Sequence, residues 1–456
     1  MTDTTLDAEL ALIADADARA RVYLASVATR RVFPDAAALA ALRQFEEALP
    51  VAASDPAATL ALLDAVGTPA TVTSNGPRYH GFVIGATLPA AAAAERLMAA
   101  WDQCASSWDN SPAAATLERV AARWVLDVLD LPREAAVGFG TSATACGLAC
   151  LAAARRTLLA RAGWDLDARG IHGAPEIRIM VSDLAHVTVL KALRVLGFGR
   201  DRLLIAPTDA HGRVDPARLP PLDARTILCL QAGEVNTGEF DPFAALLPVA
   251  RAAGAWVHVD GAFGLWARAA PSLRALTDGV ELADSWTTDG HKFLNTPYDG
   301  AMAICRDAGV LAEAMNGDAA YATASQDAQK NLTLEFSRRP RGVPIWAALR
   351  TLGRNGVAAL VEEQCALARR LRDRLIVGGF EVPNRVVLNQ LLVRADSDES
   401  TRAVQAAAAA SGETWFGLTT WHGRPACRLS LSSWRTTAAH IDATAASLIR
   451  IRAALG

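Results

Sequence analysis

The sequence predicts an α/β fold: a large domain on a mainly parallel sheet, preceded by a helical segment and followed by a smaller α+β domain. Three observations predict it. The chain has 456 residues, more than a single hydrophobic core usually serves. Between about 135 and 305, apolar β-branched runs alternate with helix-length segments, which is how strands buried on both faces are written. On either side of that region, apolar residues recur at helical spacing instead.

Residues 1–75 are Ala-rich and amphipathic, as in LDAELALIADADARARVYLASV, and carry no compact core of their own. The domain at 76–340 opens near Asn75-Gly76-Pro77, a turn signal ahead of a short aromatic extended piece, and continues through a helix pair to about 128. Its strands are RIMVSD (178–183), RTILCLQAG (225–233), WVHVDGAFG (256–264) and GAMAIC (300–305). Residues 341–456 read as a long helical stretch, the short strands VVLNQLLVR and CRLSLSS, and a closing helix.

Composition narrows the function classes. Hydrophobic residues make up 52% and charged ones 20%, well inside the range that buries a core. A formal charge of -3 without blocks of like charge argues against nucleic acid and anionic membrane, leaving a small molecule as the expected partner. The first twenty residues lack the basic and apolar regions of a secretion signal. Seven cysteines, odd in number and scattered, suit reduced thiols in a cytoplasm rather than a disulfide framework. Cys146 and Cys150 share a helix face but have no partner at zinc spacing, so no metal is expected.

In open parallel sheets, ligands bind beyond the carboxyl ends of the strands. Four such places carry polar groups. Asp260 closes the run WVHVD, where an acid needs a strong partner. Lys292 follows His291 in TTDGHK, and a lysine among apolar walls becomes nucleophilic enough to form an imine with an aldehyde. Ser142, Ala143 and Thr144 open a helix, where backbone N–H groups suit a phosphate. His186 follows RIMVSD and is placed to lie over a flat ring. Taken singly, the acid reads as a helix cap or ion pair and the histidine as a satisfied core residue. Together they form the inventory that pyridoxal 5'-phosphate (PLP) requires.

The segments HVDGAFGLWA and DSWTTDGHKFLNTPYDGA resemble the group II PLP-dependent amino acid decarboxylases, which include aromatic-amino-acid, glutamate and diaminobutyrate decarboxylases. PRYHGFVIGATLP, SPAAATLERVAARWVLDVLDLP, QAGEVNTGEFDPF, SRRPRGVPIWAALRTLG and RLSLSSWRTT extend the resemblance over roughly residues 75–440. It implies the type I PLP fold with a seven-stranded sheet, a homodimer with active sites at the subunit boundary, and decarboxylation of an L-amino acid. Carried over by position, Lys292 would form the imine, Asp260 would pair with the pyridine nitrogen and His186 would stack on the ring. Ser142, Ala143 and Thr144 would hold the phosphate, with His291 and Asp289 opposite, although Asp289 departs from the Asn of many relatives.

Tyr79, His80, Phe82 and Trp108 fall in blocks that line the substrate pocket in relatives, pointing to a flat or aromatic substrate, or else pack a subunit interface. Glu234 stands where relatives carry a neutral residue; it either reads the substrate or joins a surface ion pair. Arg338 and Arg339 either recognise a carboxylate or stitch a loop to the large domain. The family's loop Tyr, which protonates the carbanion, has no counterpart within 322–336, and Tyr321 is the nearest candidate. That departure keeps oxidative deamination to an aldehyde open as an alternative outcome, and a non-catalytic PLP-binding scaffold as a third.

Overall fold

In the computed structural model, which describes residues 3–316 and 328–455, seven strands join in one sheet. They are β1 (Ala136–Gly140), β2 (Arg178–Ser182), β3 (Leu204–Ala206), β4 (Thr226–Gln231), β5 (Trp256–Asp260), β6 (Ser285–Asp289) and β7 (Ala301–Cys305). Their order is β1-β7-β6-β5-β4-β2-β3. Only β7 runs against its neighbours. The carboxyl ends of β1, β2, β4, β5 and β6 therefore share one edge of the sheet, and the residues that follow them meet there.

The four runs read as strands from the sequence form β2, β4, β5 and β7. β1, β3 and β6 escape that reading: β1 is broken by glycines, β3 has three residues, and β6 ends in the polar Thr287-Thr288-Asp289. The piece around TSNGPRYHGFVIGATLP is not a strand. Phe82 and Val83 adopt φ of 52° and 55°, and the segment's one β-bridge joins Tyr79 to Trp415.

The helix after β1, Ala143–Arg161, is long and apolar enough to cross a membrane by length and composition alone. It instead buries Cys146, Cys150, Leu151 and Leu158 against sheet and neighbouring helices. Beyond β1 the sheet has no further strand among the described residues, and a side chain takes that place. Gln329 Oε1 accepts from Phe139 N at 2.9 Å while its Nε2 donates to Val137 O at 3.1 Å.

At the amino end, helices Asp3–Ser26, Ala36–Ala41 and Pro56–Leu62 make no core; the latter two bury no residue. The carboxyl-terminal part does have its own core. Helix Gly342–Val377, kinked at Gly353, packs with helix Ala438–Leu455 and an antiparallel sheet of β8 (Gln390–Val393), β10 (Arg424–Ser430) and β9 (Gly417–Trp421). Leu371, Phe416, Leu429 and Ile441 sit at its centre. All seven cysteines are free, six of them buried.

Candidate active site

At the shared strand edge lies a cavity of about 290 Å³ lined by Ser142, Ala143, Thr144, His186, Asp260, Asp289, His291 and Lys292. Register explains the convergence. Gln231 at the end of β4 pairs with Asp260 at the end of β5, which pairs with Thr287 two residues before Asp289. The turn after β1 brings Ser142, whose hydroxyl caps the next helix by accepting from Ala145 N at 3.4 Å.

Lys292 Nζ stands 3.0 Å from Asp289 Oδ2 and 5.9 Å from the Phe263 ring centre. Its turn is held from both sides. Asn295, at φ 56°, donates from Nδ2 to the carbonyls of Lys292, Phe293 and Ser432 and accepts from Trp434 N, tying the lysine to the carboxyl-terminal part. Opposite, a Cβ at Gly85 would fall 2.2 Å from Lys292 O, so only glycine permits that approach.

Asp260 Oδ1 accepts from Ala262 N at 3.1 Å, and Oδ2 has no protein partner among the described residues. His186 is a helix cap: its Nδ1 accepts from Thr188 N at 3.4 Å and lies 2.6 Å from Thr188 Oγ1. Burial lowers its pKa, opposed by Asp260. A ring that accepts at Nδ1 and is neutral carries its hydrogen on Nε2. His291 behaves alike: Nδ1 accepts from Gly300 N at 3.3 Å, Nε2 lies 3.6 Å from Asp289 Oδ2, and burial lowers its pKa against the pull of Asp289.

Of the substrate candidates, the single chain brings only Phe82 to this cavity, 61% exposed and tilted against Trp415 at 5.4 Å. Tyr79 is buried and stacks on the same indole at 5.2 Å. His80 is buried with neither ring nitrogen hydrogen-bonded among the described residues, and burial pushes its pKa down to about 3. Trp108 lines a separate cavity of about 380 Å³ beside Arg119 and Arg123. Glu234 is not at the surface. It is buried, and its carboxylate accepts from Asn236 N, Asn236 Nδ2, Thr237 N and Thr237 Oγ1 within its own turn.

Arg338 does not face the cavity. It forms a bidentate pair with Glu118 at 2.7 and 2.9 Å, with both side chains 0% exposed, and also binds Ala105 O and Phe139 O. Arg339 pairs with Glu95. Tyr321 lies outside the described residues.

Sequence reasoning missed Arg428 and Gln231. Arg428, on β10, lines the cavity and spends only Nη1, on Val235 O at 3.3 Å, among the described residues. Gln231 Nε2 is buried on the cavity wall without a partner among the described residues. The signal for Arg428 was present: a charge at an alternating position of the apolar strand CRLSLSS.

Residues 41–394 match the family described as pyridoxal-dependent decarboxylase conserved domain. The chain belongs to this family. The decarboxylase is 29% identical to tryptophan decarboxylase 1 of Oryza sativa subsp. japonica over 399 residues, 78% of this chain and 76% of that one. Two solved structures share its fold. Oryza sativa TDC with PLP and tryptamine superposes with a TM-score of 0.91 at 23% identity, covering 100% of this chain and 99% of that one. Rhodiola rosea 4-hydroxyphenylacetaldehyde synthase gives 0.85 at 22% identity over the same shares.

The decarboxylase is a PLP-dependent carboxy-lyase, and the cavity fits that cofactor by chemistry. It offers an amine for the aldehyde and an acid with a free oxygen for the pyridine nitrogen. It also has backbone N–H groups at a helix start for the phosphate, and a partnerless amide donor on Gln231.

Proposed function

We propose that this decarboxylase acts on an L-amino acid with a flat, preferably aromatic side chain, and that Lys292, Asp260 and His186 carry the reaction. The observation behind this is that all three line one cavity with Arg428, beneath the exposed ring of Phe82. The similarity to tryptophan decarboxylase 1 supports a ring-bearing substrate.

When bound, PLP supplies an electron sink for bonds at the substrate Cα. Lys292 would hold its aldehyde carbon, and Asp260 would keep its pyridine nitrogen protonated by charge pairing. Ser142, Ala143, Thr144 and His291 would hold the phosphate. Arg428, the one guanidinium on the wall among the described residues, would bind and orient a substrate carboxylate, and orientation selects which Cα bond breaks. His186 would press on the cofactor ring. Because its Nδ1 is committed to the helix cap, it would offer an N–H hydrogen bond from Nε2 on the cavity side.

Incubating the holoenzyme with a panel of L-amino acids, including tryptophan, tyrosine, dihydroxyphenylalanine and diaminobutyrate, tests this. Release of carbon dioxide with the matching amine supports it, and a panel without turnover despite full cofactor occupancy overturns it. A second reading, oxidative deamination to an aldehyde, is favoured by the lack of any tyrosine in 322–336. Dioxygen uptake with hydrogen peroxide and ammonia formation separates the two.

We extend the proposal to a homodimer. Leu6, Leu10 and Ile13, 53–54% exposed, form a stripe at helical spacing on the first helix, and nothing among the described residues of one chain covers it. A sedimentation mass equal to one chain would remove this part.

A further inference from the structure

Asp289 is 2% exposed, yet it carries a carboxylate into the place where an anionic cofactor group is held. Its Oδ1 accepts from Ala143 N at 2.8 Å, the N–H at the start of the helix after β1. Its Oδ2 lies 3.0 Å from Lys292 Nζ and 3.6 Å from His291 Nε2. The side chain has little freedom to leave. Its backbone N donates to Ala262 O at 2.9 Å, and its carbonyl accepts from Trp266 Nε1 at 3.0 Å.

The ionisable groups that act on this carboxylate come from four places. Lys292 and His291 follow it in the same turn, and Tyr298 stacks on His291. His186 reaches in from the helix after β2, and Cys146 from the helix after β1. Burial keeps both imidazoles biased to neutrality and the Cys146 thiol protonated. The Lys292 ammonium is thus the counter-ion of Asp289. A lysine committed to an aldehyde is no longer that counter-ion, and a buried carboxylate left alone beside a phosphate is strongly disfavoured.

We propose that Asp289 accepts a proton from Lys292 during cofactor loading and, as a neutral acid, then donates a hydrogen bond to the cofactor phosphate. This rests on the reading that Lys292 takes the aldehyde. The step balances. The ammonium gives one proton to the Asp289 carboxylate; the freed amine forms a carbon–nitrogen double bond with the aldehyde; its remaining two hydrogens leave with the carbonyl oxygen as water. No proton enters or leaves the solvent. Neutral Asp289 keeps its carbonyl oxygen toward Ala143 N and presents an O–H from the other oxygen, the donor and acceptor pattern of an asparagine amide.

The test compares wild-type and Asp289→Asn apo-protein titrated with PLP in two buffers of different ionisation enthalpy, so that calorimetry counts protons. Asp289→Asn preserves both the acceptor for Ala143 N and a donor for the phosphate, but has no base. It should release one more proton per site than wild type, and its affinity relative to wild type should rise about tenfold per pH unit. Infrared difference spectra of wild type alone, apo against loaded, should show a new protonated-carboxyl band that moves on isotopic labelling of aspartate. Equal proton counts, or loading without that band, overturn the role of Asp289. If borohydride fixes no cofactor on Lys292, the Lys292 reading fails as well, and the two failures are told apart.

Discussion

Replacing Arg338 with methionine removes four hydrogen bonds at once: two to Glu118, and one each to Ala105 O and Phe139 O. Glu118 would keep only the N–H of Gly342, at 2.9 Å. Both charges are fully enclosed in the wild-type chain, so the variant strands a carboxylate without water or counter-ion. Breaking such a pair from one side costs about 3–5 kcal/mol. Removing both charges, in Arg338→Met with Glu118→Leu, should recover most of that loss, because no unpaired ion remains. The exposed pair Arg370–Asp442, at 41% and 38%, is the contrast; Asp442→Asn should cost less than about 1 kcal/mol. Urea midpoints of the apo-protein measure all four chains. An Arg338→Met chain within about 1 kcal/mol of wild type would refute the reasoning, as would a double variant no better than the worse single one.

Lys292→Ala should bind PLP without any borohydride-reducible adduct and lose turnover, which absorbance and peptide mass would show. Arg428→Gln should raise KM about 10- to 100-fold with a smaller change in kcat, from the about 1.5–3 kcal/mol typical of a hydrogen bond to a charged group; an unchanged KM removes the carboxylate role. Gly85→Ala places a Cβ 2.2 Å from Lys292 O, so its loaded form should show a shifted cofactor spectrum and reduced cofactor affinity. Buried His80 and His258 have pKa values pushed down to about 3 and about 4, and buried Asp241 up to about 7. Each histidine binds fewer protons folded than unfolded below pH 6.5, costing up to about 1.4 kcal/mol per pH unit as pH falls, while Asp241 acts oppositely between 3.8 and 7. From pH 6.5 to 4 these three should leave a net loss of about 1.4 kcal/mol per unit, read as falling urea midpoints, and His80→Phe should flatten it.

The α/β pattern was legible because β2, β4, β5 and β7 are continuous apolar runs, and the polar residues that end or follow β2 and β5 advertised His186 and Asp260. β6 stayed hidden because its last three residues are polar, even though Asp289 and Lys292 at its end were singled out. What one dimension could not show is which aromatic faces which cavity. Tyr79, Phe82 and Trp415 form one stack, and only Phe82 is left uncovered by it. Arg338 was ambiguous for a related reason: its partner Glu118 lies 220 positions away, inside a helix that otherwise reads as ordinary amphipathic sequence.

The amide of Gln329 stands in for an eighth strand. An outermost strand with open N–H and C=O groups is a template onto which another chain can zip, and proteins usually blunt it with charge, proline or a bulge. Here two hydrogen bonds from one side chain occupy Phe139 N and Val137 O, so the border of the sheet is closed to strand addition at that point. A leucine at 329 would reopen it, and the first symptom would be self-association during folding rather than a weaker folded state.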